Sequence, residues 1–256
     1  MADQQSKALA FSELHTPEKP LELFNIWDAG SAVAVEAGGA NAVATGSWSV
    51  AAALGYPDGQ QLPLHDLLAT ANSIVRATEL PVSIDFEGAY ASTPKEVADN
   101  VTRLLETGAI GINFEDQIVG TSDLYSIADQ VDRIRAIRQA ADSFGVSLFI
   151  NARTDMFLKA GPEGDHKAIL NSAIDRAKAY AEAGASGFFA PMLADPELIA
   201  TLCDACPVPV NIMKMPNVPS TRELGELGVA RVSHGPGPYR MMTSWLKKQA
   251  AAIYGD

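Results

Sequence analysis

Short apolar runs recur along the chain, each followed by a longer stretch whose apolar residues return at three- and four-residue intervals. The runs are Leu23–Trp27, Ala42–Thr45, Val82–Phe86, Gly111–Phe114, Leu148–Asn151, Gly187–Ala190, Val210–Met213 and Ala230–Ser233. Continuous apolar runs of this length between amphipathic segments read as buried parallel strands. The segments between them, such as Pro94–Thr107, Ala128–Phe144, His166–Ala183 and Pro196–Cys203, read as helices. Several end alike, in Glu36-Ala37-Gly38-Gly39, Glu106-Thr107-Gly108-Ala109 and Glu182-Ala183-Gly184-Ala185. A glycine just past a helix fits a left-handed cap.

Alternating strands and helices with right-handed crossovers imply a parallel sheet. Eight such units predict a single closed (β/α)8 barrel of the TIM type, for which 256 residues is an ordinary length. No low-complexity linker divides the chain. Residues 1–20 read as an N-terminal arm and 21–256 as the barrel. The last helix, Tyr239–Tyr254, carries Met241, Met242, Trp245, Leu246 and Ile253. It either caps the barrel as the eighth helix or packs on a partner subunit.

The polar residues collect where the strands stop. Trp27-Asp28 follows the first run and Thr45-Gly46-Ser47-Trp48-Ser49 the second. Asp85 and Glu87 follow the third, Glu115-Asp116-Gln117 the fourth, and Asn151-Ala152-Arg153-Thr154-Asp155 the fifth. Asn211 and Met213 lie on the seventh and His234 follows the eighth. An α/β barrel places its chemistry at this end of its strands. Asp85, Glu87 and Glu115 brought together would repel unless a cation joined them, and hard carboxylate ligands suit Mg²⁺ or Mn²⁺.

Charge narrows the choice of partner. With 19 basic against 31 acidic residues the net charge is −12, and no Lys/Arg cluster is present. Nucleic acid and anionic membranes are excluded as partners on that ground. No run approaches the ~18 apolar residues of a membrane span. The N-terminus lacks the basic-then-apolar layout of a signal peptide. Cys203 and Cys206 have no second pair and no neighbouring histidine, so they read as ordinary thiols in a reducing compartment, and the protein is expected in the cytoplasm.

Six segments together resemble the isocitrate lyase/phosphoenolpyruvate mutase superfamily. They are Trp27-Asp28-Ala29-Gly30-Ser31-Ala32, Gly46-Ser47-Trp48-Ser49, Gly55-Tyr56-Pro57-Asp58, Asp85-Phe86-Glu87-Gly88-Ala89-Tyr90, Asn113-Phe114-Glu115-Asp116 and Asn151-Ala152-Arg153-Thr154-Asp155. They fall in the family's order from about residue 20 onward. The resemblance implies an α/β barrel assembled as a homodimer or homotetramer by exchange of the last helix. It implies Mg²⁺-dependent cleavage or formation of C–C or P–C bonds beside a 2-oxo carboxylate. The expected enzyme is a lyase or decarboxylase acting on a small 2-oxo or 2-hydroxy di- or tricarboxylate through a metal-stabilised enolate. The alternatives are a phosphonopyruvate-type P–C mutase or hydrolase, and a 2-oxo acid binding protein with weak catalysis.

The resemblance also assigns roles. Asp85 anchors the metal, with Glu87 and Glu115 on its bound waters. Gly46, Ser47 and Trp48 hold the substrate carboxylate, and Arg153 forks onto the carboxylate or oxo oxygen. Asp58 closes the site from a mobile loop. Trp27, Asn211 and His234 complete the substrate-binding set, and Arg153, Asp58 and Glu115 the catalytic one. Each residue also has a plainer reading. Arg153 could pair with Asp155 or Glu115, and Asp28 and Ser31 could cap the first helix. Asp58 could be a turn residue and His234 a rim residue. The chain departs from the lyases at Gln117–Tyr125, where their Lys-x-Cys-Gly-His loop is replaced by Gly120, Thr121, Ser122 and Asp123. Tyr90 and Tyr125 are the candidate proton donors in place of that cysteine. His15, His65 and His166 are expected at the surface.

Overall fold

A computed structural model describes residues 2–255. In chain order the elements are α1 (Ala2–Glu13), β1 (Leu21–Leu23), α2 (Ala29–Ala37), β2 (Val43–Ala44), α3 (Ser47–Ala53), α4 (Leu64–Ala77), β3 (Val82–Asp85), α5 (Pro94–Leu105), β4 (Gly111–Glu115) and α6 (Ile127–Phe144). There follow β5 (Phe149–Arg153), α7 (Met156–Ala160), α8 (His166–Glu182), β6 (Gly187–Ala190), α9 (Pro196–Ala205), β7 (Val210–Met213), α10 (Thr221–Glu226), β8 (Val229–Ser233) and α11 (Gly237–Tyr254).

All seven ladders are parallel, in the order β1-β8-β7-β6-β5-β4-β3-β2. A parallel bridge between Ile26 and Thr45 joins the two ends of that order. There the Ile26 amide donates to Ala44 O at 2.9 Å and the Gly46 amide to Ile26 O at 3.2 Å. The expected (β/α)8 barrel is therefore formed.

The first strand lies earlier than the sequence predicts. Its ladder with β8 covers Leu21–Leu23, not Leu23–Trp27, and Ile26 reaches only β2. Asn25 explains the break. Its side-chain amide donates to Thr45 O at 2.9 Å, and its Oδ1 accepts from the Gly235 amide at 2.8 Å. A side chain thus links β2 and the β8 turn where a continuous ladder would have run.

The N-terminal helix is tied to the barrel floor. Ala8 and Phe11 of α1 are fully buried. The Phe11 ring meets Phe149, at the start of β5, edge-on at 5.3 Å. His15 stacks on the same Phe149 ring at 4.0 Å and is buried, not at the surface as expected. Burial and then the charge of Arg231 push its pKa down to about 3, so it is a neutral packing residue. His65 is exposed, and His166 is half-buried against Gly161 O.

At the other extreme, only Pro238 is buried among the residues of α11, while Met241, Trp245, Leu246, Ile253 and Tyr254 are all more than half exposed. No described helix is long and apolar enough to cross a membrane.

The floor contact is open to measurement. Phe11→Ala is expected to destabilise the barrel by about 3–5 kcal/mol in urea unfolding, since it opens a cavity under β4 and β5. A loss under about 1 kcal/mol would mean that α1 is only peripheral.

Candidate active site

Parallel pairing fixes which side chains point into the barrel mouth. Asp85 pairs in register with Asn113, and Glu115 with Arg153. A cavity of about 300 Å³ opens there, lined by Asn25, Gly46, Ser47, Trp48, Asp58, Asp85, Asn113, Arg153, Phe189, Met213, Ser233 and Arg240 among others. A larger cleft of about 530 Å³ opens beside it at the starts of α8 and α9, with His166, Lys167 and Asp195 on its walls. Its two carboxylates, Asp165 and Asp195, are taken up in capping α8 and α9.

The expected residues divide on this geometry. Gly46, Ser47, Trp48, Asp58, Asp85 and Arg153 line the cavity together. Glu87 and Glu115 stand behind its wall, 5% and 6% exposed. Trp27 also stands behind, edge-on to Tyr239 at 5.0 Å. Asn211 lies one layer deeper, its amide donating to Ser233 Oγ at 3.1 Å, and Ser233 takes the lining place. His234 turns outward to Glu22, 2.8 Å away, and to the Phe24 ring. The Asp28–Ser31 pair forms a reciprocal capping box on α2, with the Ser31 amide donating to Asp28 Oδ1 at 2.7 Å.

Hydrogen bonds hold the lining residues in place. The Ser47 amide donates to Asp85 Oδ2 at 2.9 Å, and Asn113 Nδ2 reaches Oδ1 at 3.4 Å. The Gln60 amide donates to Glu87 Oε2 at 2.6 Å. Arg153 Nη1 lies 3.1 Å from Glu115 Oε2, and its Nη2 donates to Asp155 Oδ2 at 3.0 Å. Burial opposes the Arg153 charge, but Asp155 and Glu115 outweigh it and hold the guanidinium firmly protonated. Arg153 therefore makes the ion pairs with Asp155 and Glu115 and also lines the cavity.

Asp116 and Asp155 belong to the framework. Asp116 accepts from Arg176 Nη1 at 3.1 Å, from the Tyr180 hydroxyl at 2.9 Å and from the Asp155 amide at 3.0 Å. Tyr125 is also structural, since the Arg133 guanidinium lies 3.9 Å from its ring centre. Tyr90, by contrast, is hydrogen-bonded to Glu87. Residues 117–125 form a tight hairpin through a Gln117–Leu124 bridge, outside the cavity lining. The two cysteines are free thiols on the far end of α9, their pKa values pushed by burial up to about 12 for Cys203 and about 11 for Cys206.

The cavity side is short of positive charge. Burial, then the Asp85 and Asp58 carboxylates, push the Glu87 pKa up to about 8. Partial loss of water and then Asp85 raise that of Asp58. Burial raises that of Glu115 against the pull of Arg153. This excess of hard oxygen donors suits a divalent cation. Among the described residues no three His, Cys, Asp or Glu side chains converge closely enough to hold an ion directly. The residues therefore fit an ion that keeps most of its water, with Asp85 on the cavity lining and Glu87 and Glu115 at a remove.

Among the polar lining residues, Asn25, Asn113, Ser233 and Arg240 were not singled out as site residues from the sequence. Asn113 could have been, because it lies two residues before Glu115 on the same strand face. Arg240 left no such signal, being on the first turn of α11.

Comparison with known proteins adds to this geometry. The sequence profile of the phosphoenolpyruvate phosphomutase family matches residues 11–254. A solved Burkholderia cenocepacia protein assigned as a phosphonomutase is 46% identical, with a TM-score of 0.94 over 99% of this chain and 100% of that one. The 2-methylisocitrate lyase of Escherichia coli is 30% identical over 93% of this chain and 81% of its own length. An uncharacterised Mycobacterium tuberculosis protein is 37% identical over 90% of this chain and 83% of its own.

The crowded carboxylates predict a pH response. The folded pKa of Glu87, about 8, lies above its ordinary value of 4.5, so the folded state keeps the proton that the unfolded chain releases. Metal-free protein should therefore lose stability as pH rises through that interval. Glu87→Gln is expected to flatten the slope and to be more stable than wild type at pH 8 by about 1–3 kcal/mol. Urea unfolding in EDTA at pH 5 and pH 8 measures this. An unchanged slope in the variant would place the titration elsewhere.

Proposed function

The chain belongs to the phosphoenolpyruvate phosphomutase family, as an enzyme of the isocitrate lyase/phosphoenolpyruvate mutase superfamily, and we propose that it is a Mg²⁺-dependent lyase or decarboxylase. Its substrate in this reading is a small 2-oxo or 2-hydroxy di- or tricarboxylate. The observation that carries the reading is that Asp85 and Arg153 line one small cavity with Glu87 and Glu115 close behind its wall, so that the four acids Asp58, Asp85, Glu87 and Glu115 meet only the two cations Arg153 and Arg240. An anionic substrate can enter such a site only together with a counter-cation.

Asp85 would hold the ion, with Glu87 and Glu115 orienting its water shell; Mn²⁺ has the same ligand chemistry. The bound ion supplies electrostatic stabilisation for negative charge growing on the oxo oxygen as the neighbouring bond breaks. Arg153, already charged and aligned by Asp155, forks onto the carboxylate or oxo group. The Ser47 amide holds Asp85, while the Ser47 hydroxyl and the Trp48 amide orient the carboxylate. Asp58, at the open mouth, closes over the bound acid. Tyr90, hydrogen-bonded to Glu87, would be the group that moves a proton where the lyases use a cysteine. The two free thiols support a reducing, cytoplasmic compartment for the enzyme.

The Burkholderia relative supports a second reading, a P–C mutase or hydrolase on a phosphonopyruvate-like acid. Binding of 2-oxo acids with weak turnover is a third. A screen of 2-oxo acids, 2-methylisocitrate and phosphonopyruvate separates them. Pyruvate or glyoxylate release supports the lyase, phosphate or phosphoenolpyruvate the second reading, and binding alone the third. Asp85→Ala should abolish Mg²⁺-dependent turnover or binding while circular dichroism stays native. Full Mg²⁺-dependent function in that variant would rule out the site.

The exposed apolar side of α11 supports a homodimer or homotetramer. In our reading a second copy of this chain covers it. Trp245→Glu with Leu246→Glu is expected to yield a smaller species in light scattering, and an unchanged mass would place the interface elsewhere.

A further inference from the structure

Arg240 is the one cavity-lining cation that the function above does not use. It sits on the first turn of α11, directly after β8, and lines the same cavity as Arg153 on β5. Those strands are separated by β7 and β6 in an eight-stranded ring, so the two arginines approach from nearly opposite walls.

The Arg240 guanidinium lies 4.8 Å from the centre of the Trp48 ring. Tyr239 meets Trp48 edge-on at 5.8 Å and Trp27 at 5.0 Å, so the stacking surface is itself fixed. A guanidinium held flat on an indole keeps its N–H edge free for a second partner.

Among the described residues no carboxylate pairs with Arg240. The other arginines of this end are all engaged. Arg153 has Glu115 and Asp155, Arg176 has Asp116, and Arg133 binds the Gly88 and Ala91 carbonyls. Arg240 thus carries an unpaired charge at the cavity although the chain has 31 acids. Between the two cations the wall is apolar, from Phe189, Met192 and Met213, and suits a short carbon skeleton. A volume of about 300 Å³ is at the small end for ligand sites.

We propose that Arg240, backed by Trp48, receives a second anionic group at the far end of the substrate, and so sets the enzyme's preference for dianionic over monoanionic 2-oxo acids. This rests on the reading above, in which Arg153 and the metal hold the 2-oxo carboxylate end. Arg240 is thus a specificity residue. The far group is a carboxylate or a phosphonate, both of which present anionic oxygens that a guanidinium fork recognises.

The test is titration calorimetry with Mg²⁺ on wild type, Arg240→Gln, Arg240→Lys and Arg153→Gln. The probes are oxalate, 2-oxobutyrate, oxaloacetate and phosphonopyruvate. Oxaloacetate and 2-oxobutyrate differ only in replacing a far carboxylate by a methyl group. Wild type is expected to bind oxaloacetate or phosphonopyruvate at least about tenfold more tightly than 2-oxobutyrate, and the one preferred identifies the far group. Arg240→Gln should weaken that dianion by about 10- to 100-fold and shift oxalate and 2-oxobutyrate by less than about twofold. Arg240→Lys should fall between, and Arg153→Gln should weaken all four probes.

Equal binding of dianion and 2-oxobutyrate by wild type overturns the proposal. So does an Arg240→Gln effect that is the same for every probe, or absent. If Arg240→Gln does not fold, the wild-type preference and its reduction in Arg240→Lys decide the matter. Wild type that binds neither oxalate nor any 2-oxo acid would overturn the parent reading, and this one with it.

Discussion

Like charges brought together at one end of a barrel are the constraint on which this structure turns. Asp85, Glu87, Glu115, Asp116 and Asp155 are all less than 9% exposed. Two unit charges about 4 Å apart repel by roughly 4 kcal/mol at the effective dielectric of a protein. The fold meets this in two layers. Asp116 and Asp155 are matched by Arg176, Arg153, the Tyr180 hydroxyl and backbone amides, and they fasten β4 to β5 and α8. Asp58, Asp85 and Glu87 are left with amides and too few cations. The first group is scaffold; the second has charge to spare for a ligand.

Holding an acid in that second group has a backbone cost. Glu87, Ala89 and Tyr90 all adopt positive φ, at 50°, 60° and 55°. That region is unfavourable for residues with a side chain. Arg133 holds the turn from beneath, its Nη2 donating to Gly88 O at 2.8 Å and Ala91 O at 3.0 Å while its guanidinium packs on Tyr125 and Phe114. The same arginine therefore fixes the strained turn that carries Glu87 and Tyr90 and anchors the end of the 117–125 loop at Tyr125. A further arginine, Arg231, is buried inside the barrel beneath Asn113, where burial pushes its pKa down to about 9 and the Asp85 charge is the main force against that shift.

The sequence by itself determined the barrel and the end at which its chemistry lies. Eight apolar runs closed by polar clusters specify parallel strands with their acids on one face, because register in a parallel sheet follows from which faces must be buried. The pairing of Asp85 with Asn113 and of Glu115 with Arg153 is a consequence of that pattern. What the sequence could not decide is which of several polar residues at a strand end turns inward. His234 and Ser233 are neighbours, yet the serine faces the cavity and the histidine faces Glu22. Asn211 points inward but is capped by Ser233. With Asn25 turned to β2 and the β8 turn, β1 stops at Leu23, four residues before the apolar run does. Arg240 belongs to a helix and reaches the cavity only because Trp48 and Tyr239, from different elements, hold it there. Strand alternation is local and can be read along the chain, whereas these outcomes depend on side chains from elements far apart in sequence and exist only once the barrel has closed.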